Sequence, residues 1–557
     1  MRDYILDAGF KSYMEFVYKL ALPVFAGSGV LFAVAHMFFN IPYFIHYAIP
    51  LIGIIIVAVY PYIVFEQRKI QIHEKIHLFI TYAGTLSTLK LNRTMLFEKI
   101  AEEDEYGELR YVALKIIYLA KKWNLGYAKT CRMLAQLSPS RIFGDFLDRL
   151  AAVLDFGEDL EVFLTEEQDA VMDDFSNEYH KSLQNIRILE DVFISITISI
   201  AFAMSAALLL PLLMGVSIMV IIQYCLFGLV IMDMLLVLLI KGFIPSDKIC
   251  HELPILDEGT KKTFMALFII APISFFLLAA LLYLDVLPFL FNLAIGFTPL
   301  IIVGIYASAE ENAVFRRDKA FPAFIRALGG TISTRGGGVT SSLGALRVHD
   351  FGVLDSMLQN LYRRLRVGSD RLKSWLYFAG ETGSNLINYF IHIFVKSVYM
   401  GGEPIKIGEI ISKNFTRLMS LRKLRLQLAS GLRGALYGAL VGFVTTIYMS
   451  TAITQMLSGM FSSALSDAQA QENMASLVSA IIPTIPAIDI KLVTLYIGII
   501  VVFHAFISSF VIKLVDGGNK YAALFDFVMM VWIGAILGWG IPVLSSWAFG
   551  DLSLAVG

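Results

Sequence analysis

The sharpest chemical pattern in the chain is His73-Glu74-Lys75-Ile76-His77. On a helix its two imidazoles fall one turn apart on one face, where they can hold zinc while the glutamate activates a water. No third ligand is evident, and the corresponding stretch of a later repeat, Asp318 to Pro322, lacks both histidines. The five residues read better as a solvated helix leaving a membrane. Nucleotide chemistry needs a phosphate-cradling loop followed by Lys and then Ser or Thr. Neither Gly-Lys-Ser nor Gly-Lys-Thr occurs, so Gly336-Gly337-Gly338 reads as a flexible turn. An intramembrane aspartyl peptidase would carry Gly-x-Gly-Asp, and both Gly144-Asp145 and Gly550-Asp551 lack the first glycine. The expectation is a chain with no catalytic residue, no metal and no cofactor, which is not an enzyme.

The remaining candidates are charges and small residues placed for binding. Basic residues concentrate at Arg363-Arg364-Leu365-Arg366, Arg371 and Lys373, and again at Arg422-Lys423-Leu424-Arg425. Guanidinium forks suit carboxylates, so these residues form a candidate docking face for an acidic protein partner. The second cluster precedes an apolar run, where retention of basic residues at a membrane surface explains it equally well. No aromatic stacking pattern accompanies the arginines, which argues against nucleic acid. Asp233 stands inside an apolar run, and a lone charge in hydrocarbon is costly, so it reads as an interhelical contact or a snorkelling side chain in preference to a proton relay. Gly434, Gly438 and Gly442 form a small-residue ladder that lets a second helix approach closely, within the chain or between copies.

The elements that must position these groups follow from composition. Of 557 residues, 57% are hydrophobic and 16% charged, too apolar for a soluble protein and too charged for a bare membrane bundle. About 20 residues cross a bilayer as a helix, and runs of that kind occupy 21–39, 44–65, 192–214, 217–240, 264–284, 289–308, 433–457, 492–512 and 524–546, giving nine expected spans. Basic residues stay on the cytoplasmic side. Arg2, Lys11 and Lys19 lie at the amino end and Lys241, Lys248, Lys261 and Lys262 in 241–263, whereas 40–43, 215–216, 285–288 and 458–490 have none. This pattern places the protein in the cell membrane with its amino end inside and its carboxyl end outside. The first apolar run reads as a retained signal anchor. Cys131, Cys225 and Cys250 are isolated and build neither disulfide framework nor metal cluster.

Two long polar segments, 66–190 and 309–432, then fall in the cytoplasm. Both open with one motif: Gly84-Thr85-Leu86-Ser87-Thr88 recurs 246 positions later as Gly330-Thr331-Ile332-Ser333-Thr334. Phe79-Ile80 and Phe324-Ile325 precede the copies, and Gly157-Glu158 answers Gly402-Glu403 at a spacing of 245. One unit used twice explains a fixed long spacing. Apolar residues recur at helical spacing in both, as in Leu109, Val112, Ile116, Leu119 and Ala120, in Ile142, Phe146, Leu150, Val153 and Leu154, and in Leu358, Leu361, Leu365 and Leu372. Each segment should be a small helical bundle, so the fold class is an all-α polytopic membrane protein. Residues 1–65 then form an anchor with two spans, 191–308 four spans, and 433–557 three spans with an external loop at 458–490. The first module holds 16 basic and 21 acidic residues and the second 18 and 9, so they should not share one partner surface.

Two helical cytosolic modules, each followed by spans and without an active site, resemble the type II secretion F domain family of assembly platforms. The Gly84–Thr88 motif, Glu190-Asp191-Val192-Phe193-Ile194-Ser195, Phe202-Ala203-Met204-Ser205 and Leu208-Leu209-Leu210-Pro211 are similar to its archaeal, archaellum-type branch. The resemblance covers nearly the whole chain. It implies a platform on which a cytoplasmic secretion ATPase, with its accessory ring proteins, moves pilin-like subunits from the bilayer into a growing filament that the machine also rotates. It also implies a homodimer, and it supplies no catalytic residue. A platform for archaeal adhesive pili is the alternative, and a membrane transporter or zinc protease a distant one.

Overall fold

The computed structural model describes residues 13–26, 28, 43–89, 92–214, 218–245, 247–251, 253–255, 257–284, 287–336, 338–469 and 490–554. Among them every regular element is helical, and one isolated bridge joins Cys250 to Ser384. The helices used below are α1 Tyr43–Ser87, α2 Arg93–Ala101, α3 Glu108–Lys122, α4 Tyr127–Gln136, α5 Arg141–Phe156, α6 Leu160–Met214 and α7 Ile218–Phe243. They continue as α8 Glu258–Leu284, α9 Phe289–Phe297, α10 Leu300–Arg335, α11 Val339–Leu346, α12 Asp355–Arg366 and α13 Arg371–Thr382. The last are α14 Asn385–Tyr399, α15 Pro404–Gln469, α16 Ile490–Asp516 and α17 Ala523–Leu554.

Six of these helices are long and apolar enough to cross a membrane, seven if α9 and α10, bent by 45° at their junction, count as one span. They take up the expected runs from 192–214 onward. The first two expected spans, 21–39 and 44–65, fall largely on residues or side chains outside those described, as does the loop at 458–490. Outward-facing Phe268, Phe275, Phe276 and Tyr283 on α8 give it the apolar surface that a helix in lipid requires.

The chain divides into two compact units, one made of Met1–Ser176 with Lys396–Ile410 and the other of Asn177–Val395 with Ile411–Gly557. In the first, α5 buries Ile142, Phe143, Phe146, Leu147, Leu150 and Val153 along one stripe. Phe79 of α1 meets Phe143 and Phe146 edge-on, each at 5.6 Å between ring centres. Rings placed this way add roughly 0.5–1.5 kcal/mol per pair beyond their buried area. Ser140 caps the helix start and Gly157, at φ 72°, ends it in the left-handed conformation that glycine adopts without strain.

The order of elements after α1 repeats after α10. Four short helices, with a one-turn 3-10 helix between the first and second, lead into a long helix in both halves. Ser384 caps α14 as Ser140 caps α5, and Gly401, at φ 94°, follows α14 as Gly157 follows α5. Of the residues expected at helical spacing, Val112 and Leu119 are half-buried at the edge of their stripe and one is exposed. Leu358, Leu361 and Leu365 are buried, but Leu372 is 57% exposed because the chain turns at Gly368, φ 82°, and α13 starts in a new register.

Candidate functional site

The expected docking residues sit at the junction of α12 and α13. Burial of Leu358, Leu361 and Leu365 on one side of α12 leaves Arg363 and Arg366 on the other, both exposed. Arg364 is turned inward, paired with Glu381 and lying over the Tyr377 ring at 5.2 Å. The Asp370 carboxylate caps α13 by accepting from the Lys373 amide at 2.8 Å, which sets Arg371 and Lys373 in the exposed first turn. Val367, Leu372, Leu376 and Tyr377 are exposed among these cations. An apolar patch edged by arginine and lysine is the composition of a protein contact.

Arg422 and Arg425, expected on the same kind of face, are instead 4% and 3% exposed. Arg422 grips Asp247 with a two-pronged fork, Nε to Oδ2 and Nη2 to Oδ1, each 2.6 Å. Its Nη1 donates to Asp318 at 2.9 Å and Nη2 to the Lys248 carbonyl at 2.8 Å. The Ser384 hydroxyl donates to the other Asp318 oxygen. Arg425 donates to the carbonyls of Val515, Pro245 and Asp247 at 2.6, 3.0 and 2.9 Å. Gly517 allows this approach, since a Cβ there would lie 2.6 Å from the guanidinium carbon. Of the cluster's three cations, Lys423 alone is exposed. These two arginines are internal ties, and the docking face narrows accordingly.

The ties continue outward from Arg422. Lys513 of α16 pairs with Glu311 at 2.8 Å and Asp516 at 2.7 Å, and Arg317 pairs with Glu310 at 2.6 Å while donating to the Thr382 carbonyl at 2.9 Å. The linker after α7 runs beside the turn between α13 and α14, with His251 N donating to Gly383 O at 3.1 Å and Asn385 N to Ile249 O at 3.0 Å. Within this unit, α10, α13, α14, α15, α16 and the 244–257 linker are thereby joined by paired charges and satisfied carbonyls. Burial pushes the Cys250 thiol in that linker up to about 12, so it stays protonated and inert.

The other predicted residues fall as follows. Asp233 and His504 are both fully buried, with His504 Nδ1 3.1 and 3.2 Å from the two carboxylate oxygens. The imidazole lies between Phe193 and Phe443, at 5.8 and 5.5 Å. The interhelical contact therefore has a partner 271 residues away. Gly434, Gly438 and Gly442 share an exposed face of α15, and a Cβ on any of them would meet nothing within 4 Å. His73 Nε2 lies 3.4 Å from the Ser140 hydroxyl, and the His77 ring 4.8 Å from that of Phe175. Among the described residues no group of three or more His, Cys, Asp or Glu side chains is placed to hold a metal ion.

No family model and no solved structure matches the chain. Two curated proteins do, over nearly their full length. Flagella accessory protein J of Methanocaldococcus jannaschii is 35% identical over 547 residues, 96% of either chain. Flagella accessory protein J of Methanococcus voltae is 32% identical over 535 residues, 94% of either chain. With such identity along the whole length, through both repeats and the apolar helices, the chain belongs to the flagella accessory protein J family.

Proposed function

We propose that the chain is the membrane platform of archaellum assembly and rotation. The observation that carries this reading is the near full-length relation to two flagella accessory proteins J. In this reading 66–190 and 309–432 are cytoplasmic modules of the type II secretion F kind, the amino end is inside and the carboxyl end outside. A cytoplasmic secretion ATPase docks on the second module through Arg363, Arg366, Arg371 and Lys373, around the exposed Val367 and Leu372. Its motion passes through the Arg422 ties into α10, α15 and α16, and from there to pilin-like subunits at the filament base. Along the exposed Gly434, Gly438 and Gly442 face, a helix of a second copy packs closely.

Two measurements test this. Deleting the gene should abolish archaella and swimming while other pili persist, with recovery on complementation; archaella surviving would reject the reading, and loss of adhesive pili instead would favour a pilus platform. Reversing Arg363, Arg366 and Lys373 to Glu should abolish capture of the ATPase at physiological salt with membrane insertion intact. Unchanged capture sinks the docking face.

A further inference from the structure

The duplicated motif is covered in its first copy and bare in its second. In the first, Thr85 is fully buried and Ser397 Oγ donates to its hydroxyl at 2.9 Å. Lys396 pairs with Glu103, and Lys406 with Glu161 at 3.2 Å. A Cβ on Gly402 would stand 2.9 Å from the Thr88 hydroxyl. The last turn of α14, the glycine turn and the first turn of α15 thus sit on the motif, within one compact unit. On another face of the same helix Ile80, Gly84 and Ser87 are buried, with Gln168 pressed against Gly84.

Among the described residues the second copy has no such cover. Ser333, Thr334 and Arg335 are exposed, and the Thr331 and Thr334 hydroxyls donate to backbone carbonyls of their own helix, those of Ala327 and Gly330. A Cβ on Gly330 would meet nothing within 4 Å. Lys319, Arg326, Gly330 and Ser333 follow one another along one face of α10, with Lys319, Arg326 and Ser333 exposed. That face is basic and ends in small residues.

The chain also contains the counterpart of the covering segment. Shifted by 245 positions, Lys396–Lys406 becomes 151–161, the last turn of α5, the Gly157 turn and the start of α6. Glu161 is taken up by Lys406, while Phe156 is 80% exposed and Val162 55%, beside exposed Glu158 and Asp159. The turn is acidic and apolar where the bare motif is basic, and complementary potentials fix which surfaces meet.

We propose that the bare motif on α10 is the seat for the Phe156–Val162 turn of a second copy of this chain. Each copy offers one motif and one turn, so a reciprocal exchange between two copies makes the contact twice. The contact of Gly402 with Thr88 sets its register, bringing Gly157 of one copy against Thr334 of the other. This inference rests on the two-copy reading above and adds the surfaces that meet.

Disulfide trapping in native membranes tests it. Two differently tagged full-length chains are co-expressed, one with Glu158→Cys and the other with Thr334→Cys, both with Cys225→Ala. Burial pushes the thiols of Cys131 and Cys250 up to about 12, which keeps them silent. Mild oxidation should give a mixed-tag covalent dimer, and Arg326→Glu should cut its yield several-fold, with Asp159→Lys on the other copy restoring it. No covalent dimer from chains that co-purify as a pair overturns this contact alone, whereas chains that do not co-purify overturn the two-copy reading as well. A single chain carrying both cysteines that closes on itself overturns the proposal in favour of an internal contact.

Discussion

The two helical segments that carry the repeated motif keep the same order of helices and use it differently. In the second, the long helix α15 places Arg422 and Arg425 in buried ties to Asp247, Asp318 and the end of α16. At the corresponding positions of α6, 245 residues earlier, stand Asn177 and His180, both exposed. Helix order reports common construction, while the polar residues on those helices decide whether a module is anchored. Apart from Lys396–Ile410, the segment 309–432 shares a compact unit with most of the helices long and apolar enough to cross a membrane, and that unit is tied internally by charges whose desolvation is tolerable only while every partner is present.

The contrast makes its largest prediction at Arg422. Arg422→Ala strips buried Asp318 and half-buried Asp247 of their counter-charge and should cost about 3–5 kcal/mol, whereas Asn177→Ala should change stability by less than about 0.5 kcal/mol. Thermal unfolding of the detergent-solubilised protein measures both, and equal shifts would break the comparison. Next is Gly304→Ala, which gives the second copy the residue that the first carries at position 58. A Cβ at Gly304 would lie 2.6 Å from the Phe525 backbone nitrogen. Such a clash between packed helices should cost about 1–3 kcal/mol, and a neutral result would show that the two helices separate freely. Smaller again, Ser397→Ala removes the donor to buried Thr85 and should cost about 1 kcal/mol, with Thr331→Ala close to silent because the second motif has no such cover. Smallest is Gly438→Ala. With open space around it, the substitution should raise helix stability by about 0.5–1 kcal/mol in the isolated chain; destabilisation there would mean that the chain itself fills the glycine face.

Much of the fold was legible because period and run length are local properties. The amphipathic stripes of α5 and α12 and the later apolar spans follow from neighbours within a few turns. The two arginines were misread because Arg422-Lys423-Leu424-Arg425 looks like a solvated charge run. A signal was nevertheless present, since Ile411, Phe415, Leu418, Arg422, Arg425, Ala429 and Leu432 step by three and four along one face, all buried. Arginines on an apolar stripe are buried arginines. The partner of Asp233 lay beyond reach, because His504 meets it only once α7 and α16 are known to pack. The exposure of Arg363 and Arg366 on α12, by contrast, was implied by the leucines opposite them.

One consequence concerns α10. Its 36 residues form a rod about 54 Å long at 1.5 Å per residue. Its first turns belong to the apolar span with α9, its middle carries Glu310, Glu311 and Asp318 of the tied network, and its far end is the bare motif. A rod held near its middle is a lever. A tilt of about 5° would carry a tip 25–30 Å from the pivot through roughly 2–3 Å by the same helical geometry, comparable to a side-chain contact made or broken. Whatever seats on Gly330 to Thr334 therefore acts through an arm about as long as the one on the membrane side, with the pivot built from salt bridges in place of a hinge.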